Sequence, residues 1–169
     1  KMQTEMQAQN LVELDNLLDI DSLTRAEIEI ILDHAVGMEE VLNRDIKKVP
    51  SLRGKTIVTL FYESSTRTRV SFEQAGKILS ADVININNKT SSNSKGESLY
   101  NTALTIQAIG ADVVIIRHPH SGASHFISKH IKTGVINAGD GTHAHPTQAL
   151  LDLYTIKKKL GSIEGKNIV

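Results

Sequence analysis

The sequence contains no cysteine. That absence excludes disulfides, thiolate metal sites and cysteine nucleophiles, and it fits a reducing compartment. Neither sign of charge is in excess: 19 Lys and Arg face 19 Asp and Glu. No net field therefore steers the chain toward nucleic acid or a membrane surface, and any anion site has to be a local cluster. No run approaches the ~20 apolar residues of a membrane span, and the opening "KMQTEMQAQN" holds no apolar signal core, so a cytoplasmic protein is expected. No internal repeat is visible. What is there is ordinary globular composition: 169 residues, 40% hydrophobic and 22% charged, enough for one well-packed domain and unlike disordered, collagenous or disulfide-scaffold chains.

The apolar residues fall into an alternating pattern. From Thr24 a helix is expected, opened by a capping box in "TRAE" and carried by Ile28, Ile31, Leu32, Ala35 and Leu42, ending near "RDIKKVPSLRG". Short β-branched runs follow at 56–61 ("TIVTLF"), 82–87 ("DVININ"), 112–117 ("DVVIIR") and 134–139 ("GVINAG"). Between and after them lie the amphipathic segments "RVSFEQAGKIL", "ESLYNTALTIQAIG", "GASHFISKHIK" and "HPTQALLDLYTIKKKLG". Five- and six-residue apolar runs separated by helices predict an α/β domain with a four-stranded parallel sheet and helices on both faces. The polar stretch "NNKTSSNSKGES", 87–98, reads as a surface loop, and "NIV" at the end reads as the start of a further strand. Residues 1–160 are thus expected to form one domain, with 161–169 the linker into a second domain and its first strand.

In such sheets ligands bind beyond the carboxyl ends of the strands, where helix N-termini offer free N–H groups and partial positive charge. Each polar cluster falls at such an end. After the first run come Ser65, Thr66, Arg67 and Thr68 in "FYESSTRTR", where backbone N–H groups, hydroxyls and a guanidinium suit the tetrahedral oxygens of a phosphate. The plainer alternative is an N-cap with solvated arginines. Arg117 closes the third run in "RHPH"; alone it is equally a solvated or ion-paired strand end. After the fourth run, "GDGTHAHPTQALLDLY" puts Pro146 at a first helical position, His145 at the cap and Gln148 in the first turn. His145 can donate to a carbonyl or oxyanion and Gln148 can satisfy an amide nitrogen; without Arg67 and Arg117 the stretch is a capped helix with an incidental histidine.

No metal is expected from His118, His120, His125, His143 and His145: no H-x-x-x-H lies on a firm helix with a carboxylate partner, and Asp140 between glycines reads as a tight turn. The "KKK" at 157–159 reads as a solvated face.

The segments "FYESSTRTRVSFE", "SSNSKGESLYNT", "RHP" and "GDGTHAHPTQALLDLYTI", in this order and spacing, resemble the carbamoyl phosphate domain of aspartate carbamoyltransferases. The resemblance runs from about Leu17 to Val169. Ornithine carbamoyltransferases share the S-T-R-T-R stretch but do not usually carry the "SKGES" loop or "GDGxHxHPTQ". The resemblance implies transfer of a carbamoyl group from carbamoyl phosphate to the amine of L-aspartate, a step of pyrimidine biosynthesis that needs no cofactor. It implies that Ser65, Thr66, Arg67 and Thr68 hold the phosphate and that Arg117 bridges phosphate and carbamoyl oxygen. His145, with Thr68 and Arg117, would polarise the carbonyl, and Gln148 would bind the carbamoyl nitrogen. Ser91 and Lys95 would reach into a neighbouring subunit's site, which implies a homotrimer, with regulatory chains as further possible partners. The residues that grip aspartate would lie in a second domain beyond Val169, so the 169-residue chain is expected to bind carbamoyl phosphate without turnover. A sibling transferase with another amine acceptor and a non-catalytic anion-binding module on the same scaffold are the alternatives.

Overall fold

The computed structural model describes residues 14–87 and 98–167. After a two-residue strand β1 (Asn16–Leu17), helix α1 (Arg25–Leu42) leads to four strand–helix units. These are β2 (Thr56–Phe61) with α2 (Thr66–Ile78), β3 (Asp82–Asn87) with α3 (Leu99–Ala108), β4 (Val113–His118) with α4 (Ala123–Ser128), and β5 (Gly134–Asp140) with α5 (Pro146–Leu160). The capping box is present: the Glu27 N–H donates to Thr24 Oγ1 at 3.3 Å and the Thr24 N–H to Glu27 Oε2 at 2.7 Å.

The strands form one parallel sheet in the order β1-β5-β4-β2-β3. The expected four strands are thus five. β1 pairs Asn16 with Val135 and Leu17 with Ile136, and it is held as much by polar groups as by its ladder. The Val135 N–H donates to Asn16 Oδ1 at 2.8 Å, and Asn137 Nδ2 donates to the Leu18 carbonyl at 2.8 Å. Two residues are too few to show period-two alternation, which is why the sequence pattern passes over them. At the other end, residues 161–167 show turns and bends and no strand; the strand expected at 167–169 falls largely outside the described residues.

β2 is a central strand, and all of it after Thr56 is buried. Its alternate side chains feed two cores, as the pleat requires. Val58 and Leu60 pack with Ala103, Ile106, Val114, Ile116, Ile127 and Val135 on the face covered by α3 and α4. Ile57 and Phe61 pack with Ala81, Ile115, Ala138 and Phe72 on the other. Thr59, a buried polar residue on that second face, is satisfied by donating to Asn85 Oδ1 at 2.6 Å. Full burial of each such aliphatic side chain is worth about 1.5–3 kcal/mol.

The connection from β2 runs to β3 on one side, whereas the next strand, β4, lies on β2's other side. The chain therefore reverses its winding at β2, and a crevice opens between the carboxyl ends of β2 and β4. The segments after Phe61 and Ile116 end in that crevice. Beside it the sheet is irregular: Ile116 pairs with Asn137 but His118 with Asp140, so Ala138 and Gly139 together oppose the single residue Arg117. This β-bulge bends the end of β5 toward the crevice.

Candidate active site

Helix α2 starts at the crevice with its N-terminus uncapped. Ser65 is the N-cap residue, but its hydroxyl makes no bond to the helix backbone and donates instead to Thr68 Oγ1 at 2.8 Å. No acidic side chain lies in the first turn. The N–H groups of Arg67 and Thr68 are the ones such a cap would satisfy; here they sit beside hydroxyls and an exposed guanidinium on Arg67. Ser65 and Thr68 are half-buried and Thr66 is exposed. Of the plainer alternative, the N-cap position and the solvated Arg67 are present, while the side-chain cap bond is not.

Arg117 is the link between the two polar clusters. Its backbone carbonyl accepts from the Tyr62 N–H at 2.9 Å, which fixes the end of β4 against the segment leading into α2. Its Nη1 donates to the Ala138 carbonyl in the bulge at 2.9 Å. Its Nε lies 3.3 Å from Glu63 Oε2, an ion-pair distance without hydrogen-bond alignment, so that buried N–H is unsatisfied among the described residues. Gly139 makes this placement possible. It has φ of 113°, and a Cβ there would stand 2.6 Å from Arg117 Nη1 and 3.4 Å from His145 Cδ2. The bulge glycine thus removes the atoms that would keep guanidinium and imidazole apart.

Helix α5 brings His145 to the same place. His145 is its N-cap, Pro146 follows at the first helical position, and the imidazole makes no cap bond. Its Nδ1 lies 3.3 Å from Thr147 Oγ1; with the threonine as the donor of that contact, the ring proton sits on Nε2. Burial and the positive charge of Arg117 hold the imidazole below its ordinary pKa against an opposing pull from Asp152, so the ring is neutral at neutral pH. Gln148 is exposed in the first turn, and its Nε2 donates to Asp152 Oδ1 at 2.9 Å. That bond fixes the amide orientation with Oε1 left to accept from an N–H.

The loop between β5 and α5 is held from beneath by Asn137 and Asp140, both buried. Asn137 Nδ2 donates to Asp140 Oδ1 at 2.9 Å and to the Ala144 carbonyl at 3.3 Å, while Asn137 Oδ1 accepts from the Gly139 N–H at 2.9 Å. Asp140 accepts from the N–H groups of Gly122 at 2.7 Å and Ala144 at 3.1 Å. Burial pushes the Asp140 carboxyl up, but its donors Asn137, Gly122, His143 and Ala144 outweigh that and hold it below the usual carboxylate value. The expected tight turn is present, with the His143 N–H bonded to the Asp140 carbonyl at 3.1 Å.

Of the residues singled out in the sequence, the structure gathers Ser65 and Thr68 by direct contact, and it sets Arg117 against Glu63, Gly139 and His145. Thr66, Arg67 and Gln148 lie in the first turns of the two open helices. Ser91 and Lys95 lie outside the described residues. Glu63, Gly139, Asn137 and Thr147 were missed. Gly139 alone carried a signal, as a glycine at a strand end next to a polar turn.

Two helix N-termini without side-chain caps, hydroxyls and an arginine thus meet beside the topological switch point of a parallel α/β sheet, the kind of place where such folds bind anions. The sequence model described as "Aspartate/ornithine carbamoyltransferase, carbamoyl-P binding domain" matches residues 15–158, and the chain belongs to that family. The chain is 58% identical over 153 residues to the aspartate carbamoyltransferase catalytic subunit of Heliobacterium modesticaldum, covering 90% of this chain and 49% of that one. It is 57% identical over 154 residues to that of Roseiflexus castenholzii, covering 91% and 48%. Among solved structures, the catalytic subunit of M. jannaschii aspartate transcarbamoylase superposes with a TM-score of 0.83 at 46% identity, covering 90% of this chain and 49% of that chain. Aspartate transcarbamoylase from Trypanosoma cruzi, in complex with carbamoyl phosphate and aspartate, superposes with a TM-score of 0.82 at 34% identity, covering 89% and 46%. The chain spans about half the length of the curated relatives it matches. Among the described residues no helix is long and apolar enough to cross a membrane.

Proposed function

We propose that this chain is the carbamoyl phosphate half of an aspartate carbamoyltransferase. In this reading residues 1–160 form the carbamoyl phosphate domain and 161–169 lead into an aspartate-binding domain. The observation that carries it is Arg117, held by the Ala138 carbonyl at the glycine bulge beside the His145 imidazole, with its own carbonyl bonded to the segment leading into α2.

Carbamoyl phosphate is already activated, so the work left to the protein is placement and charge stabilisation. The α2 N–H groups, Ser65, Thr66, Arg67 and Thr68 hold the phosphate oxygens. Arg117 displaces its Glu63 partner to span phosphate and carbamoyl oxygen, His145 donates Nε2–H to that oxygen, and Gln148 Oε1 accepts from the carbamoyl NH2. The aspartate amine attacks the carbamoyl carbon, and a C–N bond forms as the carbonyl π electrons move onto the oxygen. Collapse of that oxyanion breaks the C–O bond to phosphate, which leaves with the amine's proton. Thr68, Arg117 and His145 meet the oxyanion. Lys95 and Ser91, from a neighbouring subunit of a homotrimer, add charge and a hydroxyl at the leaving phosphate. Regulatory chains are further candidate partners, and a cytoplasmic setting fits the cysteine-free composition.

Calorimetric titration with a carbamoyl phosphonate tests the assignment. Arg67→Ala is expected to abolish binding and Arg67→Lys not to restore it, because a planar guanidinium meets two phosphate oxygens at once. Equal affinities in wild type and Arg67→Ala would reject the assignment. The aspartate acceptor is favoured over ornithine by the names of the relatives at 57–58% identity. Joining the chain to a relative's C-terminal half and comparing aspartate with ornithine as acceptor decides that point.

A further inference from the structure

Behind the loop that carries His145, three segments bring two imidazoles and a carboxylate together. His125 comes from α4, Asp140 from the end of β5 and His143 from the turn into α5, and one donor atom of each lies within 4.8 Å of the other two. No separation along the chain announces this, which is why a search for paired histidines on a helix passes over it.

The hydrogen bonds around these residues are those of a ligand set. His125 Nε2 lies 3.1 Å from Asp19 Oδ2, so Asp19 accepts the ring proton and leaves Nδ1 with its lone pair. That Nδ1 is buried and has no partner among the described residues. A carboxylate behind a histidine, fixing the tautomer and the ring plane, is the arrangement found behind metal-bound imidazoles. Asp140 is held rigid by Asn137 and Ala144 at Oδ1 and by Gly122 and, at 3.4 Å, Ser124 at Oδ2, and His143 Nδ1 sits 3.1 and 3.2 Å from the two oxygens, so a bound ion takes the place of the long Ser124 bond and of the His143 bond. His143 and Asp140 are hydrogen-bonded at 3.1 and 3.2 Å, close to the about 3.3 Å between two donor atoms of a tetrahedral zinc ion with bonds of about 2.0–2.1 Å, so an ion would replace the shared proton. His143 is 42% exposed and can shift its proton to Nε2 and turn Nδ1 toward an ion. We propose that His125, Asp140 and His143 bind a divalent transition-metal ion of the zinc class, with solvent in the fourth position.

The donor set selects the ion: two imidazoles and one carboxylate suit zinc or cobalt, whereas magnesium and calcium prefer all-oxygen shells. Binding would tie α4, the end of β5 and the start of the His145 loop to one another, and so stabilise the fold by mass action. The carbamoyl transfer derived above does not run through this ion.

The test uses the untagged chain, stripped with EDTA and exchanged into metal-free buffer. Cobalt(II) is titrated first, because a four-coordinate site gives it much stronger visible absorption than six-coordinate surface sites; zinc(II) then displaces it. The expected result is one ion per chain, no competition from magnesium, and a melting temperature raised by ~3 °C or more at saturating zinc. Affinity should fall at least ~10-fold in His125→Asn, His143→Asn and Asp19→Asn, and remain in His120→Asn. His143 is exposed and Asn keeps an N–H donor for Asp140, so this variant reports even if His125→Asn fails to fold. Only weak six-coordinate cobalt absorption, or equal zinc affinity in wild type and His143→Asn, would overturn the proposal.

Discussion

Helices α1 and α3 close their N-termini with their own side chains, while α2 and α5 leave theirs open. Thr24 accepts from the Glu27 N–H, and Ser98 accepts from the Asn101 N–H at 3.2 Å. Ser65 and His145 occupy the same positions and make no such bond. A serine cap typically contributes about 1 kcal/mol, so leaving Ser65 turned toward Thr68 forgoes stability that the sequence had within reach. Both open termini adjoin the crevice between β2 and β4, and the unsatisfied N–H on Arg117 belongs to the same region. In the proposed reading, side-chain caps stabilise α1 and α3, and donors are left open where the phosphate is to sit.

That contrast can be broken most severely at Gly139. Gly139→Ala adds a methyl group 2.6 Å from Arg117 Nη1 at a φ of 113°, and moving the guanidinium should cost at least ~2 kcal/mol of phosphate binding. Titration with carbamoyl phosphonate measures it; an unchanged affinity would mean that Arg117 does not need its bulge. Gly161→Ala is the matching control, since φ is 75° but no atom lies within 4 Å, so stability alone should fall. Next in size is Thr24→Ala, which removes a working cap and should lower unfolding stability by about 1 kcal/mol in urea while leaving phosphonate affinity unaltered. Ser65→Ala should do the reverse: stability within about 0.5 kcal/mol of wild type and affinity lower by ~10-fold, for loss of one hydroxyl bond to a charged phosphate oxygen. A stability loss equal to that of Thr24→Ala would show that Ser65 caps α2 after all. The smallest change is expected from Glu63→Gln, which frees Arg117 from a partly exposed ion pair and should raise inorganic phosphate affinity about twofold. A fall in affinity would mean that Glu63 aims the guanidinium rather than competing for it.

How much of this could be read from the residues depends on whether the feature is local. The central strands were legible because burial on both faces writes itself as β-branched runs: 112–117 was expected where β4 is Val113–His118, and 134–139 where β5 is Gly134–Asp140. The capping box and His145 beside Pro146 were legible for the same reason, since each is complete within four residues. β1 was not legible, because Asn16 and Leu17 are a strand only by virtue of Val135 and Ile136. The bulge was not either: "GVINAG" reads as an even strand, and its extra residue exists only in comparison with β4. The open helix ends lie between these cases. Ser65 is a good cap by type, and only the direction of its hydroxyl, set by Thr68, shows that the cap is not used.

The short strand β1 has a consequence for the order in which the molecule assembles. The bonds from β1 and the adjoining Leu18 to Val135 and Asn137 join residues 119 apart in sequence, and so close a long loop. A two-residue strand repays little of that closure entropy, so it cannot nucleate and docks only once the sheet already exists. Yet the carbonyl it delivers, Leu18 O, is one of the acceptors that hold Asn137, and Asn137 in turn holds Gly139 and Ala144 on either side of Asp140. The sheet forms early from its own hydrophobic runs, but the loop beneath His145 becomes rigid last. In a refolding experiment, amides of the β2–β4 ladder should gain protection from exchange before those of Gly139 and Ala144, and recovery of anion binding should follow the later phase.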